Sequence, residues 1–145
     1  MMTENTRKAL EYIEKRFGIG REAFDGYVII DNGDIWITTP EAAQLKLKAW
    51  KRKGIRLARV FKKGIKMTTA AMQIFGRYAV RNVVELPDMD HVKDFLAGRD
   101  IVIHNLKGIE EGQVIVKYGS DVLGSALYRD GKLKNQIPKG RRIEI

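Results

Sequence analysis

Three runs near the C-terminus, Gln113 to Tyr118, Val122 to Arg129 and Lys132 to Ile137, are separated only by Gly119-Ser120-Asp121 and Asp130-Gly131. The runs are rich in aliphatic, aromatic and β-branched residues, and the gaps hold residue types that reverse a chain. Gaps this short leave no room for a helix, so the spacing predicts a β-rich C-terminal portion.

Upstream the pattern is mixed. Ala9, Leu10, Ile13 and Phe17 recur at helical spacing and predict an amphipathic helix over 6–17, with Thr6 as candidate cap and Gly18 as stop. Arg21 to Phe24 reads as one further turn. Tyr27 to Ile30 and Asp34 to Thr38 flank Asn32-Gly33, the signal for a two-residue type I′ hairpin. Thr39-Pro40-Glu41 is a helix start, and that helix is expected to reach Lys53 and stop at Gly54. Its Ala42, Leu45, Ala49 and Trp50 face inward, opposite Lys48, Lys51 and Arg52. Ile55 to Phe61 reads as a strand of basic and apolar positions, followed by a Lys62-Lys63-Gly64 turn and an extended Ile65 to Met67. A helix capped by Thr68 or Thr69 runs through Phe75 to Gly76, and Val80 to Leu86 reads as a strand. A last helix opens at Pro87-Asp88, turns Met89, Val92, Phe95 and Leu96 inward, and closes at Gly98. The fold class is therefore α+β, with a small N-terminal α/β domain over 1–53 and a β-rich domain over 54–145.

Charge is segregated along the chain. The net charge is +9, but residues 39–82 alone hold 12 basic and 1 acidic side chains, and residues 113–145 hold 7 and 3. Residues 83–112 hold 3 and 7. Clustered positive charge points to a polyanionic partner, against the alternative of a charge-rich solvated surface. No apolar run approaches the ~18 residues that a membrane span needs. The first residues lack the layout of a signal peptide, so cytoplasmic residence is the expectation.

Covalent chemistry finds little support. The chain has no cysteine, which removes thiolate nucleophiles and cysteine-based metal sites. No Gly-rich phosphate loop or dinucleotide fingerprint occurs. Ser120 and Ser125 have no histidine at a recognisable spacing, and His104 lies in the strand-like run Asp100 to His104, where a structural role is commoner. His91 is expected on a solvated helix face. Of the acidic pairs, Asp88 of Asp88/Asp90 suits a helix cap, and Glu110/Glu111 suits a solvated loop. Neither an enzyme nor a cofactor is expected.

The segment Gly112-Gln113-Val114-Ile115-Val116, then Val122-Leu123-Gly124-Ser125-Ala126 and Asp130-Gly131-Lys132, resembles the PUA RNA-binding domain, a small mixed β pseudobarrel. It departs from the common pattern at Gln113, where many such domains carry aspartate. Gly131 to Arg141 resembles the L-K-N-x-x-P-K-G-x-R ending of the PUA-like tail in Sun/Fmu-type rRNA cytosine-5 methyltransferases. Phe17-Gly18-Ile19, Phe24-Asp25-Gly26-Tyr27 and Gly54 to Gly76 are similar to the segments that lead into that tail. The resemblance implies the RNA-binding appendage without the methyltransferase domain, and with it rRNA or tRNA as partner. An RNA-modifying enzyme acting in trans or a ribosomal particle is implied as a further partner.

The residue chemistry agrees with that implication. Lys132, Lys134, Lys139, Arg141 and Arg142 place five cations within eleven residues. Asn135 offers polar readout or shapes the terminal turn, and Pro138 fixes an extended backbone. Lys62, Lys63 and Lys66 surround a turn, and Arg77-Tyr78 offers a stacking surface, though Tyr78 equally suits a core position. The expected function is non-catalytic binding of structured RNA through these residues. The alternatives are a protein-interaction adaptor with a basic face, and an RNA-modifying enzyme using His104 or a carboxylate.

Overall fold

A computed structural model describes residues 2–44, 54–104 and 106–144. Helix α1 (Glu4–Phe17) buries Ala9, Leu10, Ile13 and Phe17, the predicted stripe. Its cap is Thr3, whose Oγ1 accepts from Thr6 N at 3.2 Å, and not Thr6. A cap must precede the first helical residue, and Thr6 lies inside the first turn, buried. Gly18 ends the helix in the left-handed region at φ 72°, and a 3-10 turn follows at Arg21–Phe24.

Strands β1 (Val28–Asp31) and β2 (Ile35–Thr38) form the expected hairpin, but Asp31 pairs with Ile35 and leaves three residues in the loop, not two. Asp34 stays out of the ladder because its carboxylate serves β3 (Ile55–Phe61). It accepts from Val60 N at 2.9 Å and lies 3.4 Å from Arg56 Nε. Helix α2 (Pro40–Ala43) starts as expected, with Thr39 Oγ1 accepting from Ala42 N at 3.2 Å. The continuation expected through Leu45, Ala49, Trp50 and the Lys48/Lys51/Arg52 face lies outside the described residues.

Strand β3 pairs with β2 and with β4 (Gly64–Met67), giving an antiparallel sheet of order β1-β2-β3-β4. The sheet thus runs across the division expected at 53/54. Gly54 sits so close to β2 that a Cβ there would lie 2.2 Å from Ile37 O. Helix α3 (Thr69–Phe75), capped by Thr68, and helix α1 cover one face of this sheet. The core between them holds Ile13, Phe17, Ile35, Leu57, Met72 and Phe75.

The second sheet has the order β5-β7-β8-β9-β6, with β5 (Val83–Glu85) parallel to β7 (Gly112–Tyr118) and the other pairs antiparallel. Its remaining strands are β6 (Ile101–Val102), β8 (Asp121–Arg129) and β9 (Lys132–Asn135). Curled, it encloses Val84, Val114, Val116, Ala126 and Leu133, and helix α4 (Met89–Leu96) fills it with Val92 and Phe95. The fold class is α+β with a mixed pseudobarrel. Strand β5 is shorter than expected: Asn82 turns the backbone at φ 55°, and Val80 before it is exposed. Met89 is exposed too, as the first helical residue beyond the core that takes Val92 and Phe95.

Candidate nucleic-acid interface

Period-two alternation would place Arg56 and Arg59 on opposite faces of β3. A bulge changes this. Ile35 pairs with Ala58 while its neighbour Trp36 pairs with Arg56, so Leu57 is the extra residue on β3. Bulges re-aim side chains, and here Leu57 and Ala58 both turn into the core while Arg56 and Arg59 share the outer face. Arg59 pairs with Lys66 and Phe61 with Gly64. The outer face consequently gathers Trp36, Arg56, Arg59, Phe61 and Lys66.

The cations and rings on this face are stacked. The Arg56 guanidinium is 5.1 Å from the Trp36 ring centroid, and Arg59 and Lys66 are 5.2 and 5.7 Å from that of Phe61. Phe61 is 43% exposed. Among the described residues, Arg59, Lys66 and Arg141 have no carboxylate within ion-pair distance. Arg56 has Asp34 beside it, although its Nε makes no hydrogen bond.

Gln113 joins the two sheets. Its Nε2 donates to Met67 O at 2.8 Å, and its Oε1 accepts from Met67 N at 3.0 Å and from Tyr12 Oη at 2.9 Å. The amide thereby pairs with the end of β4 as a strand residue would. Burial pushes the Tyr12 hydroxyl up to about 12, against a smaller opposing pull from Arg16. Arg16 ties the same joint, donating to Gln113 O at 2.7 Å and Glu110 O at 2.6 Å.

On the second sheet, register places Gln113, Leu127 and Lys134 in one row, with Arg129 opposite Lys132. By alternation Ser125, Leu127 and Arg129 share a face with Lys132, Lys134 and Gln136. That face borders the first sheet's outer face. Between them lies a cleft of about 620 Å³, lined by Trp36, Arg56, Arg59, Phe61 and Lys66 from one side and Gln113, Ser125, Gln136, Pro138 and Arg141 from the other. Four cations line it, with no carboxylate among its lining residues. Ser125 Oγ donates to Gln136 Oε1 at 3.0 Å, while Gln136 Nε2 donates to no described residue.

The sequence-predicted residues divide into three groups. Lys66 and Arg141 line the cleft, and Lys132 and Lys134 continue from it along β9. Lys62, Lys63 and Lys139 are exposed nearby, the first two at the β3–β4 tip and the third in the closing 3-10 turn. The remaining three face other tasks. Asn135 donates from Nδ2 to Phe95 O at 2.7 Å and Arg99 O at 3.1 Å, and its Oδ1 accepts from Ile137 N at 2.8 Å. Arg142 Nε donates to Ile137 O at 3.2 Å. Arg77 donates to the hydroxyl of the exposed Tyr78 at 2.9 Å and lies outside the cleft. Trp36, Arg56, Arg59, Phe61, Ser125 and Gln136 were not singled out by the motif reading. For Arg56, Arg59 and Phe61 the signal is the basic strand 55–61, which the bulge rearranges.

Two of the acidic residues hold backbone groups. Asp88 caps α4, accepting from His91 N at 2.9 Å and approaching His91 Nδ1 at 2.7 Å, and these bonds hold its carboxyl below the usual range. Glu111 is not merely solvated: it accepts from Asp130 N at 3.0 Å. His104 is exposed and not held in a strand, because β6 ends at Val102. Among the described residues no group of three His, Asp or Glu could hold a metal ion, and no helix is long and apolar enough to cross a membrane.

A curled mixed sheet of this order, filled by one helix and flanked by an α/β unit, defines a PUA-type pseudobarrel. Residues 81–143 match the family described as the methyltransferase RsmF PUA domain. The chain is 32% identical over 131 residues to ribosomal RNA small subunit methyltransferase F of Aeromonas salmonicida, covering 90% of this chain and 26% of that protein. The same protein of Shewanella piezotolerans is 33% identical over 131 residues, with 90% and 26% covered. That of Shewanella pealeana is 34% identical over 113 residues, with 77% and 22% covered. The chain thus spans about a quarter of the length of the curated relatives it matches.

Proposed function

We propose that this chain binds structured RNA without chemistry of its own, with small-subunit rRNA as the first candidate and tRNA as the second. The observation that carries the reading is the cleft: four cations, two aromatic rings and free amide donors converge from both sheets. Cations supply sequence-independent attraction to phosphates, and rings stack on bases. Lys132, Lys134 and Arg129 extend the basic surface along β8–β9, and Lys62, Lys63 and Lys139 flank it. Asn135 and Arg142 act as the braces that hold Pro138 and Arg141 in place. The relatives are methyltransferases of small-subunit ribosomal RNA, which supports rRNA over other polyanions. In this reading the chain brings RNA to a modifying enzyme or a ribosomal particle. The pairing across Gly54 and the family match from residue 81 favour a unit boundary near residue 80 over one at 53/54.

Anisotropy titration of an rRNA fragment across salt concentrations tests this. With the four cleft cations on phosphates, log affinity falls with log salt at a slope of about −3. Arg59→Ala with Lys66→Ala removes about 1.5 from that slope. Affinity that is flat in salt would transfer the basic face to an acidic protein partner.

A further inference from the structure

The cleft has a chemistry that a plain duplex surface does not need. Phosphate tracking requires cations, and Lys132, Lys134 and Arg129 supply them on an open sheet face. The cleft adds two aromatic rings, a concave volume of about 620 Å³ and an amide whose donors are free among the described residues. That volume falls within the ~300–1,000 Å³ of sites that enclose a small molecule. A base in a helix offers its faces to its neighbours, so only an unpaired base can stack on protein.

Resting on the RNA-binding reading, we propose that the cleft takes one unpaired nucleotide of an otherwise paired RNA. Phe61 is the platform. It is the exposed ring, and Arg59 and Lys66, which rest over it at 5.2 and 5.7 Å from its centroid, would move aside to the nucleotide's phosphate as a base takes their place. Trp36, held against Arg56, forms the second wall. Opposite them stand Gln136 and Arg141. Gln136 is oriented by Ser125, which donates to its carbonyl oxygen and leaves its NH2 group directed at acceptors. Two donors from Gln136 and the guanidinium of Arg141 favour a base edge that carries carbonyl oxygens, as in uracil or guanine. Duplex flanking the unpaired nucleotide would then lie along Lys132 and Lys134.

The test uses the full chain and two hairpin RNAs of the same stem, one fully paired and one with a single bulged uridine. Binding about tenfold tighter to the bulged RNA is expected, with Phe61→Ala removing that advantage. Phe61 is partly solvated, so this variant folds. A fluorescent uridine analogue that keeps both carbonyl oxygens gives a second readout at the bulged position: its emission is quenched on binding to the native chain and not to the Phe61→Ala chain. Equal affinity for both RNAs, unchanged by Phe61→Ala and with no quenching, overturns the nucleotide site and leaves general RNA binding standing. Failure of both RNAs to bind overturns the nucleotide site and the RNA-binding reading together.

Discussion

Gln113 shows how a single side chain can hold two units in register. Both halves of its amide pair with the backbone of Met67, and Tyr12 adds a third bond. A carboxylate keeps the shape but has no hydrogen to offer Met67 O, and it brings a charge into a buried site. Gln113→Glu is therefore expected to cost about 3 kcal/mol at neutral pH, measured by urea unfolding. Burial raises the pKa of the introduced carboxyl in the folded state, so its uncharged form is the one the fold accepts. The deficit should shrink as pH falls through that raised pKa and be smallest below about 4, the ordinary glutamate value, since the uncharged form can donate to Met67 O. A deficit independent of pH would mean that the amide's role is packing alone. Gln113 was legible in the sequence only as a departure from a family pattern. Its partner, 46 residues upstream, leaves no trace at that distance along the chain. Asn135 is the converse case: a motif residue whose side chain ties Ile137 N of the tail to the carbonyls of Phe95 and Arg99 at the end of α4, as a structural role requires.

At the scale of elements, the bulge at Leu57 turns an unremarkable basic strand into a binding face. Periodicity located β3 at Ile55–Phe61, where it is found. It could not show that Arg56 and Arg59 point the same way, because the extra residue is set by pairing with β2 and not by the strand itself. Asp34 belongs to this device. It fixes Val60 N and screens Arg56 beside the cleft. Asp34→Ala should lower stability by about 1 kcal/mol through the lost acceptor, yet raise RNA affinity two- to threefold by removing a negative charge from the cleft's edge. Thermal melts and anisotropy titrations read the two effects separately. A fall in affinity would show that Arg56 must be held by Asp34 to act.

For the whole molecule, the β-rich end and the helix caps at Thr39 and Asp88 followed from local rules of turn and cap chemistry. The relation of the two sheets did not. Gly54 lies so close to β2 that a Cβ there would meet Ile37 O, a demand set by the neighbouring strand and not by residues beside it in the chain. The functional consequence is that neither unit owns the cleft: Lys66 and Arg141, far apart in sequence, meet there only because Gln113, Arg16 and the Ile115 side chain lock the sheets together. The central claim, that RNA lies in this shared cleft and continues along β9, is tested most directly by ultraviolet crosslinking of the full chain to an rRNA fragment, with the crosslinked peptides located by mass spectrometry. Crosslinks are predicted at Trp36 or Phe61 from one unit and within 132–141 from the other, in the same preparation. Crosslinks confined to one unit, or lying on α4 and the loop after it, would contradict the account.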